Sequence, residues 1–275
     1  MTAACPLVDT HAHPMDPELA TDLSGLIGRA RETGVVAIVC VGYDLASSEA
    51  AVNLARREAM CFAAVGIHPN YVSQANGTDL RSVEELAADP KVVAIGETGL
   101  DYFRNFSEPA EQRDWFREHL ALARKLSLPI VVHNRDADDD TLTILSSWSR
   151  PDLPGRPSGV LHCFSGDVAL MERGLRAHMM VSFAGPLTYK NARALPAVAF
   201  AVPADAYVIE TDSPYLAPHP YRGSKNEPAR VRLIGERLAE LRGSSFEQIA
   251  RETSRNAATL FPALRERVEL GGLDS

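Results

Sequence analysis

Six side chains of the kind that ligate metals lie between positions 11 and 212 of this 275-residue chain, each at or just past the end of a short apolar run. His11 and His13 follow Leu7-Val8-Asp9, and Glu97 follows Val92-Val93-Ala94-Ile95-Gly96. His133 ends Pro129-Ile130-Val131-Val132, His162 ends Gly159-Val160-Leu161, and Asp212 comes just after Ala206-Tyr207-Val208-Ile209-Glu210. Residues two apart in extended backbone point to the same side, so both imidazoles of His11-Ala12-His13 can reach one cation. A carboxylate emerging from a buried strand is costly unless it is paired or coordinating. Glu97 therefore either bridges two cations through its two oxygens or forms a salt bridge to a base such as Arg135. Asp212 can ligate a metal and accept a proton from water. His133 or His162 alone reads as a hydrogen-bonded core histidine; beside the His-x-His pair they read as ligands. Imidazole suits zinc, manganese or iron better than magnesium.

Other residues take supporting roles. Asp9 is placed to fix the tautomer of a ligating histidine. His68, in Gly66-Ile67-His68-Pro69, also ends an apolar run and faces either substrate or the metals' surroundings. Asp101 reads first as a loop residue, and Glu210 as a carboxylate turned elsewhere in the fold or held in a structural pair. Cys163 beside His162 would face the opposite side of a strand, which makes a thiol–imidazole pair geometrically poor. His119, His178 and His219 lack the strand-end placement and read as structural or surface residues. The chain contains no G-x-x-x-x-G-K-[ST] phosphate loop, no clean G-x-G-x-x-G and no G-x-S-x-G elbow.

For such scattered residues to meet, the strands that carry them must end on one face. Apolar runs predict strands at 7–10, 35–41, 61–66, 92–96, 129–133, 159–163, 179–183 and 206–210. Helical stretches fall near 17–33, 46–58, 79–88, 109–127, 137–148, 167–176 and 190–199, with two more at 228–242 and 245–261 joined through Gly243 and Ser244. The clearest is 109–127, where Trp115, Phe116, Leu120, Ala123 and Leu126 recur at helical spacing. Eight strand–helix alternations with ligands after strands one, four, five, six and eight favour a ring over an open sheet, which gathers ligands at one switch point. The expected fold is a (β/α)8 TIM barrel with an extra C-terminal helix, one domain over residues 1–275.

Composition fits that reading. Apolar content of 45% and charged content of 23% are ordinary for a soluble globular protein. No stretch approaches the roughly 20 apolar residues of a membrane span, and residues 1–14 show no signal-peptide pattern. Cys5, Cys40, Cys61 and Cys163 lack C-x-x-C spacing and read as reduced thiols, so a cytoplasmic protein is expected. A net charge of −8 argues mildly against a broad polyanion-binding surface, although bound cations would dominate the local field of an acidic site.

Read in order, these pieces resemble the TatD-type metal-dependent deoxyribonucleases of the amidohydrolase-like barrel superfamily. The resemblance rests on Val8-Asp9-Thr10-His11-Ala12-His13, Gly66-Ile67-His68-Pro69, Ile95-Gly96-Glu97-Thr98-Gly99-Leu100-Asp101-Tyr102, Leu128-Pro129-Ile130-Val131-Val132-His133-Asn134-Arg135, His162-Cys163-Phe164-Ser165-Gly166 and Glu210-Thr211-Asp212-Ser213-Pro214, and extends through Asn226-Glu227-Pro228 and 256–261. It implies two divalent metal ions (Mg²⁺, Mn²⁺ or Zn²⁺). One would be held by His11, His13, Glu97 and Asp212, the other by Glu97, His133 and His162, with Glu97 as bridge. It further implies phosphodiester hydrolysis by metal-activated water with Asp212 as base, and a 3′-5′ exonuclease or general DNase acting on single-stranded DNA or 3′ ends.

The chain departs from the family pattern at two places: Asn70 stands where a second histidine is common after Gly-x-His-Pro, and Pro14 where leucine is common after His-x-His. Both concern the substrate rim. There His68 and Arg135 are the expected substrate contacts, with Arg104, Arg222 and Lys225 as further cations for phosphate or for surface ion pairs. A monomer or weak oligomer is expected. A rival reading keeps barrel and metals but hydrolyses an amide, ester or lactone; another, a silent binding scaffold, has no need of six ligand-type residues.

Overall fold

The computed structural model describes residues 5–271 apart from 105, 149, 151, 152 and 154. Eight strands follow one another around the sheet in sequence order, every ladder parallel. They are β1 (Leu7–Ala12), β2 (Val35–Val41), β3 (Cys61–Val65), β4 (Val92–Asp101), β5 (Ile130–Arg135), β6 (Gly159–Leu161), β7 (Met179–Phe183) and β8 (Tyr207–Ile209). Runs such as Val35-Val36-Ala37-Ile38-Val39-Cys40-Val41 are buried throughout because both strand faces are covered. Ile38 and Cys40 point out into the helical layer, while Val39 and Val41 point into the barrel.

β1 and β8 close the ring through individual contacts. Ala12 and Ser213 form a parallel bridge; the Asp212 and His13 amides donate to the His11 and Ser213 carbonyls at 2.8 and 2.7 Å. Lower down, the Asp9 carboxylate accepts from the Thr211 amide at 2.9 Å and its hydroxyl at 2.6 Å. The seam that completes the barrel thus runs between His11, His13 and Asp212. The structure is a TIM barrel.

The helix Pro109–Leu126 starts on a proline, whose fixed φ suits the first turn, and ends at Ser127 in left-handed conformation. It buries Phe116, Leu120 and Ala123 against β4. Past β8, the helices Val231–Arg242 and Phe246–Leu260 are joined through Gly243 at φ 60 and capped by Ser245, whose hydroxyl accepts from the Gln248 amide. The second of them seals the N-terminal end of the barrel. Its Ser254 donates to the Pro6 carbonyl and Asn256 to those of Ala204 and Tyr207, while Leu260, Phe261 and Leu264 fill the interior.

Element boundaries move where local chemistry intervenes. The helix expected over 17–33 divides into Pro17–Ala20 and Leu23–Glu32, because Asp22 takes a non-helical, N-cap position between them. That expected over 190–199 forms as Leu195–Ala201, with Pro196 in its first turn. β4 and β5 run to Asp101 and Arg135, so Glu97 and His133 lie within strands. Among the described residues no helix is long and apolar enough to cross a membrane.

Candidate metal centre

All six expected ligands meet at the C-terminal ends of the strands, and backbone irregularities bring two of them there. On β5, alternation places His133 inward with Val131; on β6, His162 follows Val160 inward. β1 and β4 break the alternation. Their ladders shift register between Asp9 and Ala12 and between Ile95 and Thr98, which turns His11 and Glu97 into the barrel. Gly96 and Gly99 flank Glu97 at φ 137 and 140, a region that favours glycine. A Cβ on Gly96 would lie 2.6 Å from the Val131 carbonyl oxygen, and one on Gly99 would collide with that of His133. The glycines let β4 lie close enough to β5 for Glu97 to reach His133. Asp212 follows β8 at φ 56, a left-handed conformation that aspartate tolerates.

The two Glu97 oxygens face different partners. Oε2 is 3.3 Å from His11 Nε2; Oε1 is 2.8 Å from His162 Nε2 and 3.0 Å from His133 Nδ1. On the first side His11 and His13 bring their Nε2 atoms to 3.2 Å of one another, and to 3.7 and 3.4 Å of Asp212 Oδ1. On the second, His133 Nδ1 and His162 Nε2 are 3.4 Å apart. The outer nitrogens explain these close approaches. His13 Nδ1 donates to the Val41 carbonyl at 2.7 Å, His133 Nε2 to Asp101 at 3.1 Å and His162 Nδ1 to Glu210 at 3.3 Å. Their single neutral-state protons are committed outward, so their inner nitrogens present lone pairs. Lone pairs and carboxylate oxygens converging at these distances repel unless a cation or a proton stands among them. This donor set fits divalent cations: atoms of His11, His13 and Asp212 lie within 4.8 Å of one another, as do those of His11, Glu97 and His162.

Protons compete for the same lone pairs. Burial would depress His162, but Glu97 and Glu210 hold it well above its ordinary value. Burial wins at His11, with His162 adding to it, and its pKa is lowered. Burial would raise Glu97 and Asp212; the surrounding histidines hold both down, Glu97 well below the usual carboxylate range.

His68 Nε2 also approaches Glu97 Oε1, at 3.4 Å, and with His133 these atoms form a third compact group. Its Nδ1, however, accepts from the Asn70 amide at 3.0 Å. Neutral His68 therefore carries its proton on Nε2 and is a donor, unlike the other three. Burial, with His133 adding to it, takes its pKa down to about 3, so it stays neutral.

Several supporting residues differ from expectation. Asp9 does not reach an imidazole: it takes the His11 amide at 3.4 Å besides Thr211, and closes the barrel seam. The partners that orient imidazoles are Asp101 and Glu210. Asp101 also accepts from the Phe103 and Arg104 amides, at 3.0 and 2.9 Å, so it ties His133 to the rim loop. Burial would raise its carboxyl, but His133 and the Arg104 amide take it down to about 2. Glu210 accepts from the Cys163 amide at 2.6 Å. The strand alternation expected to turn Cys163 away from His162 does not apply. β6 ends at Leu161, Cys163 adopts φ 44, and it lines the cavity beside His162. Burial, with Asp212 and Glu210, pushes its thiol well up, which removes it as a nucleophile for a different reason from the one anticipated. His119 is buried, while His178 and His219 are exposed.

The cluster floors a cavity of about 710 Å³. Arg135 and Arg104 line it, Arg135 lying 3.9 Å over the Phe103 ring rather than on Glu97. Lys225 donates to the Glu18 carbonyl and Arg222 lies over Tyr189. Asn70 lines the cavity with its amide 3.5 Å from Asp101. A larger cleft of about 920 Å³ opens at the N-terminal ends of β6 to β8 and contains none of the six ligands.

A TIM barrel whose strand ends gather histidines around one buried carboxylate, with donor groups compact enough to hold a metal ion, defines a class of metal-site proteins. A family model described as TatD related DNase matches residues 8–262, and the chain belongs to that family. It is 40% identical over 255 residues to a Bacillus subtilis protein named as the uncharacterized metal-dependent hydrolase YabD, covering 93% of this chain and 98% of that one. It is 36% identical over 250 residues to a 3′-5′ ssDNA/RNA exonuclease TatD of Erwinia amylovora, covering 89% and 95%. Among solved structures, YjjV, a TatD homolog from Escherichia coli K12, superposes with a TM-score of 0.89 at 28% identity over 94% of this chain and 99% of that one.

Proposed function

We propose that this chain is a divalent-metal-dependent phosphodiesterase that removes nucleotides from single-stranded DNA ends, working in the cytoplasm as a single catalytic domain. One observation carries the metal site: each oxygen of Glu97 faces imidazole nitrogens of its own, Oε2 that of His11 and Oε1 those of His133 and His162. His11, His13, Glu97 and Asp212 would hold one cation and Glu97, His133 and His162 the other. Such ions supply Lewis acidity and neutralise charge on the attacked phosphate. Membership in the TatD related DNase family and the exonuclease name of the Erwinia relative support DNA as substrate. Four free cysteines agree with a reducing compartment.

The chain's own residues then divide the work. Asp212, with Oδ1 beside His13 and held ionised, accepts the proton of the attacking water. His68, a neutral Nε2–H donor at the cavity wall, hydrogen-bonds a non-bridging phosphate oxygen. Arg135, kept extended by the Phe103 ring, pairs with a neighbouring phosphate. As the water oxygen bonds to phosphorus, one bridging P–O bond breaks and the departing oxygen takes up a proton.

The test is incubation of purified protein with 3′-labelled single-stranded DNA and Mg²⁺, Mn²⁺ or Zn²⁺, beside a panel of lactones and amides. Metal-dependent nucleotide release is expected. Hydrolysis confined to the lactone and amide panel would sink the nuclease reading.

A further inference from the structure

The cavity is lined by two arginines and three tyrosines. Arg104 lines it from the loop that follows β4, and Arg135 from the end of β5. Tyr43, Tyr71 and Tyr215 line it from the loops after β2, β3 and β8. Tyr43 and Tyr71 stack at 5.3 Å, and Tyr43 and Tyr215 lie edge-on to His13 at 5.7 and 6.0 Å. Two carboxylates back this aromatic wall. The Tyr215 hydroxyl donates to Asp16 Oδ2 at 3.4 Å. Burial, together with Asp16 and Asp44, raises the Tyr43 and Tyr71 phenols, so the wall stays uncharged with acid behind it. Lys225, on the loop after β8, is engaged by the Glu18 carbonyl.

We infer that the cavity reads a strand end: the phosphates of the strand run over Arg104 and Arg135, and the terminal nucleoside lies against the tyrosines, where Asp16 and Asp44 reject any further phosphate. This rests on the nuclease reading and adds to it the source of end specificity. Phenol rings stack on any base, which suits a substrate of varied sequence. A terminal phosphate adds about 1.5 to 2 negative charges, and Asp16, itself buried beneath Tyr215, is less screened by solvent than a surface carboxylate and opposes it the more strongly. A free terminal hydroxyl meets no such opposition. An internal phosphodiester would need a phosphate on both sides and is excluded by the same wall.

The carboxylates can be discharged without unfolding the loops. Asp16 caps the helix Pro17–Ala20 through the Glu18 amide at 2.8 Å, and Asp44 caps Leu45–Arg57 through the Ser47 amide at 2.7 Å. Asparagine caps helices about as well as aspartate, so Asp16→Asn with Asp44→Asn removes the charges and keeps the caps. The assay uses the metal-loaded protein and three substrates of one sequence: single-stranded DNA ending in a 3′ hydroxyl, the same strand ending in a 3′ phosphate, and a covalently closed circle. Wild type is expected to favour the hydroxyl end over the phosphate end by about tenfold or more in kcat/KM, about 1.4 kcal/mol, and to leave the circle intact. In the double variant that ratio falls several-fold, whereas Arg135→Gln slows both linear substrates alike and preserves it. Equal rates on the two ends, cleavage of the circle, or an unchanged ratio in the double variant would overturn the end-reading while leaving a nuclease. No release from any of the three with any metal would overturn the nuclease reading and this inference with it.

Discussion

At the N-terminal end of the barrel, Phe62, Leu260, Phe261 and Leu264 fill the interior with apolar volume. At the C-terminal end the same ring of strands encloses four histidines and two carboxylates, every one of which the resemblance assigns to a metal. The two ends share a backbone scaffold and differ in what they do for the molecule. Apolar side chains removed from water stabilise the fold directly. Ionisable groups removed from water cost free energy that only partners repay. The N-terminal end therefore holds the barrel together, and the C-terminal end is a load that cations or protons must offset. Substitutions at the two ends should separate activity from stability.

The largest expected effect is at Glu97. Glu97→Gln keeps the volume and removes the charge that serves both candidate cation positions. Two cations each contribute several kcal/mol of charge stabilisation, so turnover should fall by at least about 10⁴-fold. Bound metal, measured by mass spectrometry, should fall with it, while circular dichroism stays that of the folded protein. A variant with full activity and full metal content would end the assignment of Glu97 as the bridge.

The mirror experiment is Phe261→Ala. Phe261 is fully buried, and truncating a buried phenylalanine costs about 3–5 kcal/mol. For a domain of this size that lowers Tm by roughly 10 °C. At 25 °C the folded fraction should retain near wild-type kcat. A Tm unchanged within a degree would show that the plug is not what secures the N-terminal end.

How much of this contrast could be read from the chain alone follows from which rules each end obeys. The apolar runs, their number and their polarity show through period-two and period-3.6 patterns, and five strand ends carrying ligand-type residues pointed to a single rim. Glu97 and His11 were legible as residue types only. Their inward direction comes from register shifts in β1 and β4, and alternation cannot foretell a shift. Gly96 and Gly99 were the one local trace of the second. Asp9 was misread, and the partners of Glu210 were not legible, because both depend on long-range closure: Asp9 meets Thr211 across the seam, and Glu210 pairs with His162 and the turn after β6. The tautomer of His68 depends on one backbone amide, that of Asn70, which sequence places nearby without showing where it points.

His119 sharpens the comparison from the side of stability. It is a buried histidine outside the cluster, donating from Nδ1 to the Trp115 carbonyl at 2.8 Å and accepting at Nε2 from the Ile67 amide at 3.1 Å. Burial takes its pKa down to about 4. A folded-state value below the unfolded one near 6.5 means the unfolded chain binds the extra proton first. Stability from this residue is therefore complete above pH 6.5 and is lost as pH falls toward 4, by about 3 kcal/mol over the window. Denaturant titrations across that range should show His119→Gln less stable at neutral pH but losing correspondingly less on acidification. Parallel losses in variant and wild type would refute the assignment.

The smallest effect bears on the C-terminal end itself, where a carboxylate touches no proposed cation yet fixes a histidine that does. Glu210 Oε1 takes both His162 Nδ1 and the Cys163 amide. Those two contacts set the imidazole's tautomer and hold the turn that follows β6. Glu210→Gln keeps an acceptor oxygen of similar reach but loses the charge that keeps the Nδ1 proton outward. Removing such a partner costs about 10- to 100-fold in metal affinity or activity, less than loss of Glu97 because His162 remains in place. If Glu210 acts through His162, the loss in rate should be recovered largely by raising the metal concentration, and His162→Ala should erase any further effect of Glu210→Gln. If Glu210 only props the turn, added metal restores nothing and the two substitutions add. That outcome would move Glu210 from the chemistry of the C-terminal end to the architecture shared by both.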